Sequence, residues 1–193
     1  DAAGQVFPLD HMRSFTKVGA DLVCFGAKYF GGPHSAGVLC GKRELVESAA
    51  LQGFIGFEET NSASFGRPMK VDRQEIVGTV VALQEWFSMN HEDRLMALDS
   101  RVRRIMTALQ GLPTVKQLLP NPEKSPATGL RIFLDTKALG KDADTLRAEL
   151  RDGNPRIITR GWANDKESIY ISVPTLDDSE VEVVARRLRE LLA

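Results

Sequence analysis

The chain has 193 residues, 42% hydrophobic and 26% charged, enough to bury a core in one sizeable domain or two small ones and too much for a disordered tail or a disulfide-stapled mini-protein. Lys and Arg number 25 against 26 Asp and Glu, a net charge of −1, so nothing in the balance favours a nucleic-acid backbone as a bulk partner. No stretch approaches the roughly 18 apolar residues of a membrane helix and no signal-peptide pattern opens the chain, so a cytoplasmic protein with no membrane partner is expected.

In chain order, Asp1 opens a segment of small residues that ends near Val6 and is expected to run as a strand. Asp21–Phe25 and Ala36–Cys40 are short apolar runs bounded by glycines, the pattern of strands buried on both faces. Gly26 to Pro33 lies between them and continues neither. Cys24 and Cys40 show no CxxC spacing and no clustered His, so reduced thiols and no metal are expected. Asp72 is placed to cap a helix in which Ile76, Val80, Leu83 and Phe87 recur at helical steps, with Val77, Val81 and Trp86 widening the stripe; that helix is expected to be well buried. A second helix carries Leu95, Leu98, Val102, Ile105 and Leu109 on one face and stops at Gly111 and Pro113.

From about residue 112 the order reads strand, strand, helix, strand, strand, helix. A loop rich in proline (Pro120, Pro122, Pro126) precedes Leu130–Asp135, where Leu130, Ile132 and Leu134 alternate with Arg131, Phe133 and Asp135 as a sheet with one covered face requires. A short helix bearing Ala143, Leu146 and Leu150, a strand at Ile157-Ile158, another at Ile169, Ile171 and Val173, and a helix capped around Asp177 and Asp178 complete the chain. The expected division is 1–91, a part of a larger α/β domain with its first long helix, and 92–193, a linking helix with a small α/β domain.

The chemistry is expected in the first seventy residues. Lys28 follows an apolar strand and is flanked by small residues, so its amine emerges at a strand end, where open α/β sheets place their ligands. A lysine there is suited to a Schiff base with a carbonyl; the alternative is an ordinary solvated loop lysine. Asp1, on a neighbouring strand end, is suited to a ring nitrogen. An amine for an aldehyde and a carboxylate for a pyridinium nitrogen are the pair that pyridoxal 5′-phosphate chemistry needs.

Asp1-Ala2-Ala3, the run Gly19 to Lys28, and Gly31-Gly32-Pro33 with Ala36 to Lys42 resemble the cofactor-lysine region of fold-type-I pyridoxal-phosphate enzymes. More narrowly they resemble the branch of bacterial L-seryl-tRNA(Sec) selenium transferase and D-glucosaminate-6-phosphate ammonia-lyase. Gly66 to Asp72, Gly153 to Ile157 and Pro174 to Leu176 also resemble that branch, so the similarity runs over nearly the whole chain. The resemblance implies the C-terminal part of a fold-type-I large domain followed by a small C-terminal α/β domain.

It further implies that Lys28 forms the internal aldimine, that Asp1 pairs with the pyridine nitrogen, and that Ala3, pointing the same way as Asp1, lies against the ring. Gly26, Gly32 and His34 are implied as further cofactor contacts, and Arg67, with Lys70, as the holder of an anionic substrate group. Arg156 and Arg160 are candidate ligands of a substrate carboxylate. The alternative for these arginines is a surface ion pair, and for His34 a structural histidine. There are two departures. The residues before the lysine, Cys24, Phe25, Gly26 and Ala27, lack the hydroxyl that relatives use for the cofactor phosphate and are one residue short, leaving backbone N–H groups for that task. His34 stands where the selenium transferases have Gln.

The implied activity is a pyridoxal-phosphate-dependent lyase or transferase of elimination or replacement type, acting on a small amino acid or amino sugar acid and assembling as a homo-oligomer. Two alternatives are a selenium transferase acting on seryl-tRNA, which the near-neutral charge disfavours, and a non-catalytic assembly module. Fold-type-I enzymes carry a phosphate loop and most of the large domain upstream of the aspartate, so the chain is expected to be the C-terminal part of something longer, with half a cofactor site, inactive alone, and with apolar surface favouring association.

Overall fold

The computed structural model describes residues 1–60, 64–123 and 126–193. Two compact units divide it, Asp1–Met89 and Asn90–Ala193.

In the first unit, α1 (Leu9–Lys17) precedes β1 (Leu22–Gly26), a 3₁₀ turn (Ala27–Phe30) and β2 (Gly37–Gly41). Then come α2 (Arg43–Leu51), α3 (Phe54–Thr60), a second 3₁₀ turn (Arg67–Met69) and α4 (Arg73–Ser88). β1 and β2 pair antiparallel, from Leu22 opposite Gly41 to Gly26 opposite Gly37. Val23 and Phe25 point inward, onto a small core with Ala2, Val6, Phe30, Ala82 and Trp86, while Leu22 and Cys24 are exposed. The expectation of strands buried on both faces is therefore corrected. β1 has one covered face and β2 is exposed along most of its length, because among the described residues this unit supplies no second layer.

The segment at Asp1 is also not a strand. It makes one parallel bridge, Ala3 to Phe25, held by the Ala2 N–H on the Cys24 carbonyl at 3.0 Å and the Gly26 N–H on the Ala3 carbonyl at 3.1 Å. Ala3 then turns the chain with φ of 42°, a left-handed value that costs an L-residue on the order of 1 kcal/mol. The alternation that would aim Ala3 and Asp1 the same way does not apply across such a turn.

α4 forms where the periodicity places it, with the Glu75 carboxylate accepting the Asp72 N–H at 3.4 Å at its start. Its buried face is a narrower one than expected. Thr79, Ala82 and Trp86 face inward, the last donating from Nε1 to the Val6 carbonyl at 3.1 Å. Ile76, Val77, Val80, Val81 and Phe87 are each about half exposed, so the helix is not well buried. Among the described residues of this unit, nothing covers the rest of the stripe.

In the second unit, α5 (His91–Leu109) is capped by the Asn90 side chain, which accepts the Glu92 and Asp93 N–H groups. It is followed by β3 (Val115–Asn121), β4 (Gly129–Leu134), α6 (Thr136–Leu139), α7 (Ala143–Asp152), β5 (Ser168–Ser172) and α8 (Asp178–Leu192). The strands form one antiparallel sheet in the order β3-β4-β5. Leu130, Ile132 and Leu134 are fully buried against Val102, Ile105 and Leu109 of α5, Leu146 and Leu150 of α7, and Leu188 and Leu192 of α8. Asp135, Asp142 and Asp177 cap α6, α7 and α8.

Two expectations fail here. Pro120 belongs to β3, opposite Leu130, which an edge strand tolerates because its outer N–H groups need no partner. Ile157-Ile158 is not a strand: the loop after α7 makes a single bridge, Arg160 to Tyr170, while Ile157 is buried and Ile158 is 70% exposed.

Candidate active site

Lys28 stands in the 3₁₀ turn that follows β1, its side chain exposed and its Nζ 5.1 Å from the centroid of the Tyr29 ring. The turn is closed by the Gly32 N–H on the Ala27 carbonyl at 2.9 Å, with Gly31 at φ of 88°. Gly32 has no room for a side chain, since a Cβ would sit 3.0 Å from that of Ala27. The loop then docks on α4: Pro33 packs where a Cβ on Gly78 would come within 3.1 Å, and the Ser35 hydroxyl donates to Glu75. His34 is exposed between these anchors.

The backbone bonds of Ala2 and Ala3 to β1 bring Asp1 alongside the same strand. Oδ1 of Asp1 accepts the Ala3 N–H at 2.8 Å and the Cys24 thiol at 3.6 Å. Asp1, Ala3, Gly26 and Lys28, far apart in sequence, thus lie on two neighbouring stretches of backbone. Burial pushes the Cys40 thiol up.

Arg67 and Lys70 are exposed and meet on the aromatic residues of α3. The Arg67 guanidinium lies 4.8 Å from the Phe57 ring centroid and 5.4 Å from that of Phe54, and the Lys70 amine lies 4.6 Å from Phe54. Neither has a carboxylate partner among the described residues, so two cations share one ring without neutralisation. No hydrogen bond or ring contact joins them to Lys28 among the described residues.

In the second unit Arg156 and Arg160 line one cavity of about 530 Å³, with Tyr170, Thr175 and Ser179 also on its wall. Arg156 donates from Nε to the Arg151 carbonyl at 3.0 Å, and its charge adds to that of Arg151 in holding the Asp152 carboxyl down. Arg160 is pinned by two backbone bonds to Tyr170, at 3.0 and 2.8 Å. No group of three or more His, Cys, Asp or Glu among the described residues is placed to hold a metal, and no helix is long and apolar enough to cross a membrane.

Sequence reasoning missed Tyr29, Cys24 as a donor to Asp1, and Phe54 and Phe57 under the two cations. Tyr29 adjoins Lys28 and was the easiest to find; the phenylalanines carry no motif and only the fold places them under the cations.

These features match known proteins over most of the chain. The structure of D-glucosaminate-6-phosphate ammonia-lyase superimposes with a TM-score of 0.74 at 21% identity, covering 95% of this chain and 46% of that one. The protein has the fold of the fold-type-I pyridoxal-phosphate enzymes, in their C-terminal portion. Its sequence is similar to those of a D-glucosaminate-6-phosphate ammonia lyase and an L-seryl-tRNA(Sec) selenium transferase.

Over 195 residues it is 30% identical to 5′-C-glycyluridine monooxygenase-decarboxylase of a Streptomyces species, across 100% of this chain and 45% of that protein. It is 23% identical to D-glucosaminate-6-phosphate ammonia lyase of Salmonella typhimurium, across 99% and 47%. Against L-seryl-tRNA(Sec) selenium transferase of Aquifex aeolicus it is also 23% identical, across 95% and 41%. The chain therefore spans about half the length of the curated relatives it matches. No family model matches it.

Proposed function

We propose that the chain is the lysine-bearing portion of a pyridoxal-phosphate-dependent lyase or transferase that acts on an amino acid or amino sugar acid by elimination or replacement. The observation that carries this reading is the placement of Lys28 and Asp1 on adjoining backbone, held by the bonds from Ala2 and Gly26. The donor set suits the cofactor: a primary amine for its carbonyl, and a carboxylate whose Oδ1 is already occupied and whose Oδ2 is left for the ring nitrogen. When bound, the cofactor supplies an electron sink for charge on the substrate α-carbon.

The chain's residues do the rest. Lys28 holds the cofactor and moves the proton at the α-carbon. Asp1 keeps the ring nitrogen protonated, Ala3 flanks the ring, and the backbone at Gly26 and Gly32 with the His34 imidazole borders the cofactor. Arg67 and Lys70 bind an anionic substrate group, and Arg156 with Arg160 the substrate carboxylate. The relatives support an amino-acid unit in the substrate, since the glycyl, glucosaminate and seryl groups after which they are named each contain one. A homo-oligomer is the proposed assembly, supported by the apolar face of α4.

Lys28→Ala is expected to abolish the visible absorbance that pyridoxal phosphate gains on attachment, and a variant with unchanged absorbance would remove Lys28 from the role. Arg67→Ala is expected to weaken anionic substrates by about 1.5–3 kcal/mol, the range for a charged hydrogen bond; calorimetric titration with phosphorylated and plain amino acids checks it, and equal affinities exclude Arg67 from the site.

A second reading is favoured by the 30% identity to a monooxygenase-decarboxylase: the bond broken at the α-carbon is the one to the carboxylate. Release of carbon dioxide, against release of ammonia or a β-substituent, separates the two. Selenium transfer on seryl-tRNA is the third, and it requires tRNA binding that weakens steeply with salt.

A further inference from the structure

The geometry points to Tyr29 as the residue that positions Lys28, giving its ammonium a resting place on the ring whenever the lysine is not attached to cofactor. This rests on the reading of Lys28 as the cofactor lysine. Successive residues of a helical turn do not face one another, yet Lys28 folds back so that Nζ lies 5.1 Å from the ring centroid of its neighbour, within the distance at which a ring face attracts a cation.

The ring is held on one face by Gly4 and along one edge by Gly26. A Cβ on Gly4 would stand 2.8 Å from Cδ1 and 2.9 Å from Cε1, and a Cβ on Gly26 would stand 3.1 Å from Cδ2 and 3.2 Å from Cε2. A side chain at position 4 would force the ring to shift, and one at position 26 would crowd it. Gly4 follows the Asp1–Ala3 segment and Gly26 ends β1, so the ring spans the same two stretches of backbone that bring Asp1 and Lys28 together. Tyr29 is 45% exposed, which leaves part of the side chain open toward a ligand.

A lysine of this kind has two positions. Attached, its nitrogen belongs to the cofactor. Once a substrate amine takes that place, Lys28 has to remain within reach to take the proton from the α-carbon and return it. A long lysine side chain left in water loses that position among many rotamers. The Tyr29 face confines the ammonium next to the Asp1 segment, and an exposed cation–ring contact is worth on the order of a threefold preference for that position.

The test is trace acetylation of the whole chain with acetic anhydride, read at each lysine by peptide mass spectrometry, in wild type, Tyr29→Phe and Tyr29→Leu. An ammonium resting on the ring has to leave it to react. Lys28 is therefore expected to react about threefold more slowly, relative to the other lysines, in wild type and Tyr29→Phe than in Tyr29→Leu. Equal relative rates in all three overturn the role of Tyr29.

Gly4→Ala is a second variant that keeps the ring but displaces it by a methyl group against its face; it is expected to speed Lys28 as Tyr29→Leu does, and an unchanged rate counts against the proposal. In parallel, the whole enzyme of which the chain is proposed to be a portion is mixed with pyridoxal phosphate and reduced with borohydride. Capture on Lys28 with equal acetylation rates overturns Tyr29 alone; no capture on Lys28 overturns the reading of the site and the role of Tyr29 within it.

Discussion

The two units solve the same problem of burial in opposite ways. The second closes its own core: Leu130, Ile132, Leu146, Ile169 and Leu188 are wholly inaccessible, and three amphipathic helices, α5, α7 and α8, cover one face of its sheet. The first has a core built from small residues and a few aromatics, and of the large apolar side chains that are exposed, all but Met96, Ile158 and Trp162 belong to it. Buried apolar packing is concentrated in the unit that carries Arg156 and Arg160, and the candidate chemistry of Lys28 and Asp1 sits in the unit whose apolar surface is least covered.

The sharpest way to break that contrast is to cut into each region. Leu130→Ala is expected to cost about 2–5 kcal/mol, as a buried leucine lost to a cavity does, whereas Val18→Ala in the first unit, at a side chain 84% exposed, is expected to stay within about 0.5 kcal/mol. Urea unfolding followed by circular dichroism reads both. Comparable losses would mean that the two units do not differ in packing.

The next effect is electrostatic and belongs to the second unit. The Asp165 carboxyl is held down to about 2 by the Ser168 hydroxyl, then by Arg131 and the backbone N–H groups of Glu167 and Ser168, against the cost of burial. A carboxyl lowered in the folded state adds stability above its ordinary value near 3.8. That stability fades as pH falls from there through about 2, and is on the order of 2 kcal/mol. Asp165→Asn should unfold more easily at neutral pH and show a flatter loss of stability over that acid range. A variant as acid-sensitive as wild type would contradict the assignment. The smallest effect is on the surface of the first unit: Val80→Asp should leave the fold intact and reduce self-association in sedimentation, and unchanged association would take α4 out of any interface.

How much of this was legible follows from what each pattern reports. The alternation of Leu130, Ile132 and Leu134 gave both a strand and its buried face, because the covering layer is encoded in the same unit. The stripe from Ile76 to Phe87 gave the helix but not its cover, since periodicity records which side is apolar and not what meets it. Ile157-Ile158 has strand composition, but its burial is one-sided and brief, and Arg160 makes the only bridge in that loop. Asp1 and Lys28 were readable as a pair from their chemistry and from family resemblance. Their adjacency rests on a turn at Ala3 that local sequence does not announce. Tyr29 needed the glycines at 4 and 26 to acquire a meaning.

The central claim is that Lys28 is the lysine that carries the cofactor, and it is tested most directly by borohydride reduction, with pyridoxal phosphate, of the whole enzyme of which the chain is proposed to be a portion, followed by peptide mapping. The expected result is a single phosphopyridoxyl group on the peptide containing Lys28, absent from Lys28→Ala. A label spread over surface lysines, or one that persists in Lys28→Ala, would contradict it.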